Sequence, residues 1–149
     1  MYTNQYKFKY LEWHSPEEIH ETTIKWQSEL DFIEIEWHFL QELLSDNTLL
    51  LLSETDFEKT KKLISELVSY KKVIPEIRQL LEQHRNDLEV LVDGINERQK
   101  EKAFKDRHLL LELKINDFNE QYRQVKNAIF DVMKTSLKKR KQKTLLSKR

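Results

Sequence analysis

The chain has 149 residues, with 26 basic and 26 acidic side chains, no cysteine, one glycine and two prolines. That length fits one domain, so few breakers exclude a sheet protein with many turns, and the lack of cysteine excludes disulfides, thiolate metal sites and a cysteine nucleophile. Charged residues make up 35% and hydrophobic ones 38%, the balance of long solvated helices around a narrow apolar seam.

Residues 1–13 mix Tyr, Lys and Asn without a continuous apolar core, which is not the pattern of a secretory signal. Tyr6, Phe8 and Tyr10 alternate as in an extended strand. With Tyr2 and Trp13 they make residues 1–14 an aromatic segment suited to lie along a helical tip or to pair with a second chain. Ser15-Pro16-Glu17-Glu18 then reads as a helix start: a capping hydroxyl, proline at the first helical position and acids in the first turn. The first helix is expected over about 16–45, with the ladder Ile19, Thr23, Trp26, Leu30, Ile33, Trp37, Leu40, Leu44. A second stripe of Phe32, Ile35, Phe39 and Leu43 widens its apolar face, as a helix touching two neighbours requires.

The longest aliphatic run, 49–52, is far too short to span a bilayer, and a cytoplasmic location is the expectation. These four leucines fall in the first connection, where they are expected to cap the bundle, to accept Leu145 and Leu146, or to form a self-association patch. A second helix is expected over about 54–93, capped by Ser53 or Thr55 at capping-box spacing from Asp56 or Glu58. Its ladder is Leu63, Leu67, Tyr70, Ile74, Ile77, Leu81, His84, Leu88, Leu91, Ile95. Pro75 lies inside that ladder, yet the rhythm of alternating four and three keeps its phase. One helix kinked near 71–75 is therefore expected, with a break into two as the alternative. Gly94 and Asn96 supply the turn. The third helix, about 97–139, carries Phe104, His108, Leu111, Ile115, Phe118, Tyr122, Val125, Ile129 and Val132. The fold expected is all-α: an elongated, coiled-coil-like antiparallel three-helix bundle over residues 15–140, followed by a basic tail, 141–149.

A hairpin turning near residue 96 places His84 opposite His108, so the two histidines that interrupt the apolar ladders should face each other. A first hairpin turning near residue 50 pairs positions whose numbers sum to about 100, which brings His14 and His20 to the level of residues 86 and 80. Asp87 lies one turn beyond His84, and Glu112 one turn beyond His108. A layer of His84, His108, Asp87, Glu112 and His20 has the donor types to bind Zn, Fe or Mn, the one cofactor reading this sequence offers. The paired Glu-x-x-His motifs of di-iron bundles are absent, however. The simpler reading is a polar notch, two histidines hydrogen-bonded across the seam and fixing its register; a pH-responsive notch is a further alternative, because two facing imidazolium ions would repel as the pH falls. No glycine-rich phosphate loop or Gly-x-Ser-x-Gly elbow occurs, so no enzyme is expected outside a metal-dependent one.

The net charge of zero conceals an asymmetry. Residues 1–131 hold all 26 acids and 18 of the 26 bases, a net −8; residues 132–149 hold the other eight bases and no acid, +8. Lys134, Lys138, Lys139, Arg140, Lys141 and Lys143 are the candidate partner-binding residues, a block of like charge that attracts an anionic surface. The function read from sequence is thus a non-enzymatic scaffold or interaction module docking through its basic tail. A metal-binding bundle centred on His84 and His108 is the alternative. A protein partner or self-association is the first expectation for the tail, with nucleic acid or an anionic membrane surface open to the same charges.

Overall fold

A computed structural model describes residues 15–94 and 98–147, so the aromatic segment 1–14 and the turn residue Asn96 lie outside the described residues. The described chain is all-α, with α1 Pro16–Asp46, α2 Thr48–Glu54, α3 Phe57–Asp93 and α4 Arg98–Ser147. The start of α1 is as expected: the Ser15 hydroxyl accepts a hydrogen bond from the Glu18 amide at 3.1 Å, satisfying one of the orphan donors of the first turn.

Three boundaries differ from expectation. The leucine run forms its own helix, α2, burying Leu50 and Leu51. The cap of α3 is Asp56, neither Ser53 nor Thr55: its Oδ1 accepts from the amides of Glu58 at 3.1 Å and Lys59 at 3.3 Å. Thr55 instead donates to the Leu51 carbonyl at 2.5 Å and accepts from the Thr60 hydroxyl at 2.8 Å, closing the corner between α2 and α3. Finally, α4 continues to Ser147 through the residues expected to form a separate tail. The stretch 134–147 has no Gly or Pro and is rich in Lys, Arg, Gln and Leu, all good helix formers.

Helix α3 is continuous through Pro75. Proline lacks the N–H that would bond the carbonyl of Lys71, and both residues are exposed, so water can take the orphaned acceptor and the break is avoided. Gly94 follows α3 without a positive φ, so it does not form the left-handed cap common at helix ends.

The chain divides into two compact units, one formed by Met1–Phe32 with Ile74–Asp117 and the other by Ile33–Val73 with Phe118–Arg149. In the first, Ile19, Leu88 and Phe104 form a buried cluster with Leu91 packed against it, and Arg78 pairs with Asp31 at 2.5 Å. In the second, Tyr70 meets Phe118 and Tyr122 edge-on, with centroids 5.8 and 5.4 Å apart. Tyr122 donates to Glu36 Oε1 at 2.9 Å, and Lys126 pairs with the same carboxylate at 3.3 Å. Burial and that hydrogen bond push the Tyr122 phenol above its ordinary pKa. Trp37 donates its indole N–H to the Leu67 carbonyl at 2.7 Å. Replacing Trp37 by Phe keeps an apolar ring but removes that donor and leaves a void, and should lower stability by about 1–2 kcal/mol in urea unfolding.

These contacts correct the register expected for α1. Asp31 and Trp37 meet Arg78 and Leu67, where a turn at residue 50 would have given residues 69 and 63. Residue Ile33 of the α1 ladder is half-buried, and Phe32, Ile35 and Phe39 of the second stripe are 64%, 69% and 53% exposed, so α1 buries one stripe only. In α4 the ladder shifts at its end, where Met133 and Ser136 are buried in place of Val132.

Candidate functional site

His84 on α3 and His108 on α4 occupy ladder positions flanked by large apolar residues, so the seam that buries Leu81, Leu88 and Leu111 buries them too; they are 4% and 3% exposed. Their rings meet directly: His84 Nε2 and His108 Nδ1 are 2.8 Å apart, and the rings are nearly parallel with centroids at 5.0 Å. Such a bond needs an N–H on one ring and a lone pair on the other, so one imidazole donates and its partner accepts. Phe104 stacks on His84 at 4.6 Å and 5°, and Trp26 of α1 stacks on His108 at 5.4 Å and 27°. Each imidazole therefore has an aromatic ring stacked on it.

This environment disfavours the charged form. The pKa of His84 falls from its ordinary value to about 4, first because burial strips water from the imidazolium, then because His108 would repel it. Arg107 adds to the lowering, and Asp87 opposes it. Among the described residues every buried side-chain nitrogen and oxygen has a hydrogen-bond partner, so the notch is polar without being strained.

Of the other members of the expected layer, Asp87 lies close enough to act on His84 electrostatically. Asp87 is half-buried and accepts from Gln83 at 2.9 Å. Glu112 is also half-buried. His20 lines a groove with Pro16, Glu21, Leu88 and Val92, beyond the level of the pair. His14 is outside the described residues. No three His, Asp or Glu side chains among the described residues are grouped to hold a metal ion. The two facing nitrogens are occupied by their mutual hydrogen bond. Trp26 and Phe104 were legible only as core residues. Phe104 precedes His108 by one turn, a signal available in the sequence, whereas Trp26 reaches the pair only in the corrected register.

The cationic candidates lie on the second unit. Ser136 is fully buried, and every described residue of α4 after it is exposed. Lys143 pairs with Glu54 Oε1 at 2.7 Å, and Lys139 donates to the Glu54 backbone carbonyl at 3.3 Å, which fixes α4 against the end of α2. Lys138, Arg140 and Lys141 form no ion pair among the described residues. Lys134, Lys138 and Lys141, spaced by four and three, share the side of α4 turned away from Lys139 and Lys143.

Fold and site together define an all-α protein with a buried histidine pair and a basic helical end. No protein-family model matches the chain, and comparisons with curated proteins and with solved structures give no match. Among the described residues no helix is long and apolar enough to cross a membrane.

Proposed function

We propose that the protein is a cytoplasmic, non-enzymatic scaffold or interaction module in which α1, α3 and α4 form an antiparallel bundle and the C-terminal part of α4 docks on an anionic partner. The observation that carries this reading is the exposure of α4 beyond Ser136 together with the complete absence of acids after Asp131. A helix that buries nothing of its own gains little from folding alone. Its regular array of cations is kept at fixed spacing, which suits repeated anionic groups. The buried histidines support a structural role, because neither ring is open to a substrate.

Deleting residues 138–149 removes five of the six candidate cations and no buried described side chain. The truncated protein should fold with only the small loss of thermal stability that follows from the Glu54 contacts of Lys139 and Lys143, and should lose retention on immobilised heparin, used as a generic anionic polymer, at low salt. Equal retention of the full and truncated chains would end the docking reading.

A further inference from the structure

Two helical stripes of the second unit are exposed along their whole length. The first is on α1, where Ile35 and Phe39 are exposed and the exposed acids Glu42 and Asp46 continue the same line. Positions 35, 39, 42 and 46 are separated by four, three and four residues. The four side chains therefore share one side of the helix, away from buried Trp37, Leu40 and Leu44. The second stripe is on α4, where Lys134, Lys138 and Lys141 are followed four residues on by exposed Leu145. Positions 134, 138, 141 and 145 repeat the spacing of four, three and four. This side of α4 is turned away from buried Ser136 and from Lys139 and Lys143, which meet Glu54. None of Glu42, Asp46, Lys134, Lys138 and Lys141 forms an ion pair among the described residues.

We infer that the anionic partner of the basic helix end is the outer stripe of α1 on a second copy of this chain. The inference rests on the docking reading above and names its partner. The stripes 35–46 and 134–145 have the same spacing and the same length, ~16 Å at the helical rise. Laid antiparallel, Ile35 meets Leu145, Phe39 meets the stem and charge of Lys141, and Glu42 and Asp46 meet Lys138 and Lys134. A parallel pairing would set Ile35 on Lys134 and Asp46 on Leu145, so hydropathy and charge together select the antiparallel direction. One contact thus covers an apolar face that α1 leaves open and a helix end that buries nothing of its own. A polyanion such as nucleic acid takes up the lysines but leaves Ile35 and Phe39 uncovered. Residues 132–149 also contain no aromatic ring to stack on a base.

Sedimentation velocity of the full chain should show association that deepens with concentration and weakens with added salt. E42K/D46K and K134E/K138E are altered only at exposed positions, and circular dichroism checks their helix content. Each alone should associate at least about tenfold more weakly, because two attractive pairs become repulsive. Mixed in equal amounts they should associate with each other, since each α1 stripe then finds an α4 stripe of opposite charge on the other variant. I35S/F39S should weaken association by about tenfold and leave heparin retention unchanged. E42K/D46K keeps the basic helix and should still be retained on heparin, which separates this partner from the docking reading itself. A full chain that stays monomeric at every concentration yet binds heparin overturns the self-association and leaves the docking reading standing. If it stays monomeric and is not retained, both fall. Association undiminished in either reversed variant, or not restored on mixing them, also overturns the inference.

Discussion

His84→Leu should lose about 1–3 kcal/mol of folding stability, while His84→Leu/His108→Leu should recover most of that loss. The single variant takes away one partner of a buried hydrogen bond and leaves His108 Nδ1 in an apolar layer between Trp26 and its own helix, without the 2.8 Å contact it makes now. Water cannot replace the lost partner at a position 3% exposed. Removing both imidazoles eliminates the polar requirement and substitutes side chains of similar volume into a ladder that is otherwise hydrophobic. The thermodynamic cycle built from wild type, His84→Leu, His108→Leu and the double variant should therefore show strong coupling. If the two single losses simply add in the double variant, the histidines do not act as a pair.

The same pair should make stability pH-dependent in a defined window. An unfolded His84 titrates near its ordinary value of 6.5, whereas the folded one titrates at about 4. Between those values the unfolded chain binds more protons than the folded one, so stability rises with pH there. The contribution is fully present above the unfolded value. It is lost as the pH falls from about 6.5 toward about 4, and no more is lost below. Between about pH 7 and about pH 5 this amounts to roughly 2 kcal/mol. Ordinary carboxylic acids have reference pKa values near the acidic end of this window. The measurement that isolates the pair is therefore the difference in urea midpoint between the two pH values, compared in wild type and in His84→Leu/His108→Leu. The double variant should be flatter by about that amount. Equal slopes would mean that protonating His84 does not oppose folding. Once both rings are protonated no lone pair is left for the bond and the two imidazolium ions repel, so acid should loosen the first unit at this layer before its aliphatic contacts.

The two ladders of α3 and α4 were legible because their apolar residues alternate in steps of four and three over many turns, with only residues 94–97 between the two helices. That rhythm carried the facing of His84 and His108, and the structure adds the meeting of Tyr70 with Tyr122 in the same register. The register of α1 was not legible for the same reason in reverse. Four leucines in a row have no period, so a seven-residue helix cannot be told from a buried connection, and α2 lengthens that connection. With the register displaced, Trp26 was not seen to cover His108, and His20 was placed with the pair when it lies by Leu88 and Val92. The stripe Phe32, Ile35, Phe39 shows the limit of amphipathic patterns: spacing says that side chains share a face, and only packing says whether that face is covered. At the C-terminus charge density suggested a tail, whereas helix propensity carried the chain on to Ser147.

The central claim, that the exposed basic end of α4 is the contact element, is tested most directly by the salt dependence of binding. Affinity of the full chain for heparin should fall steeply and linearly on logarithmic axes as salt rises, with a slope that reports several cations engaged together. K138E/R140E/K141E should show weak affinity at every salt concentration and a much smaller slope. A full chain whose affinity is insensitive to salt, or a triple variant that keeps the wild-type slope, would contradict the account.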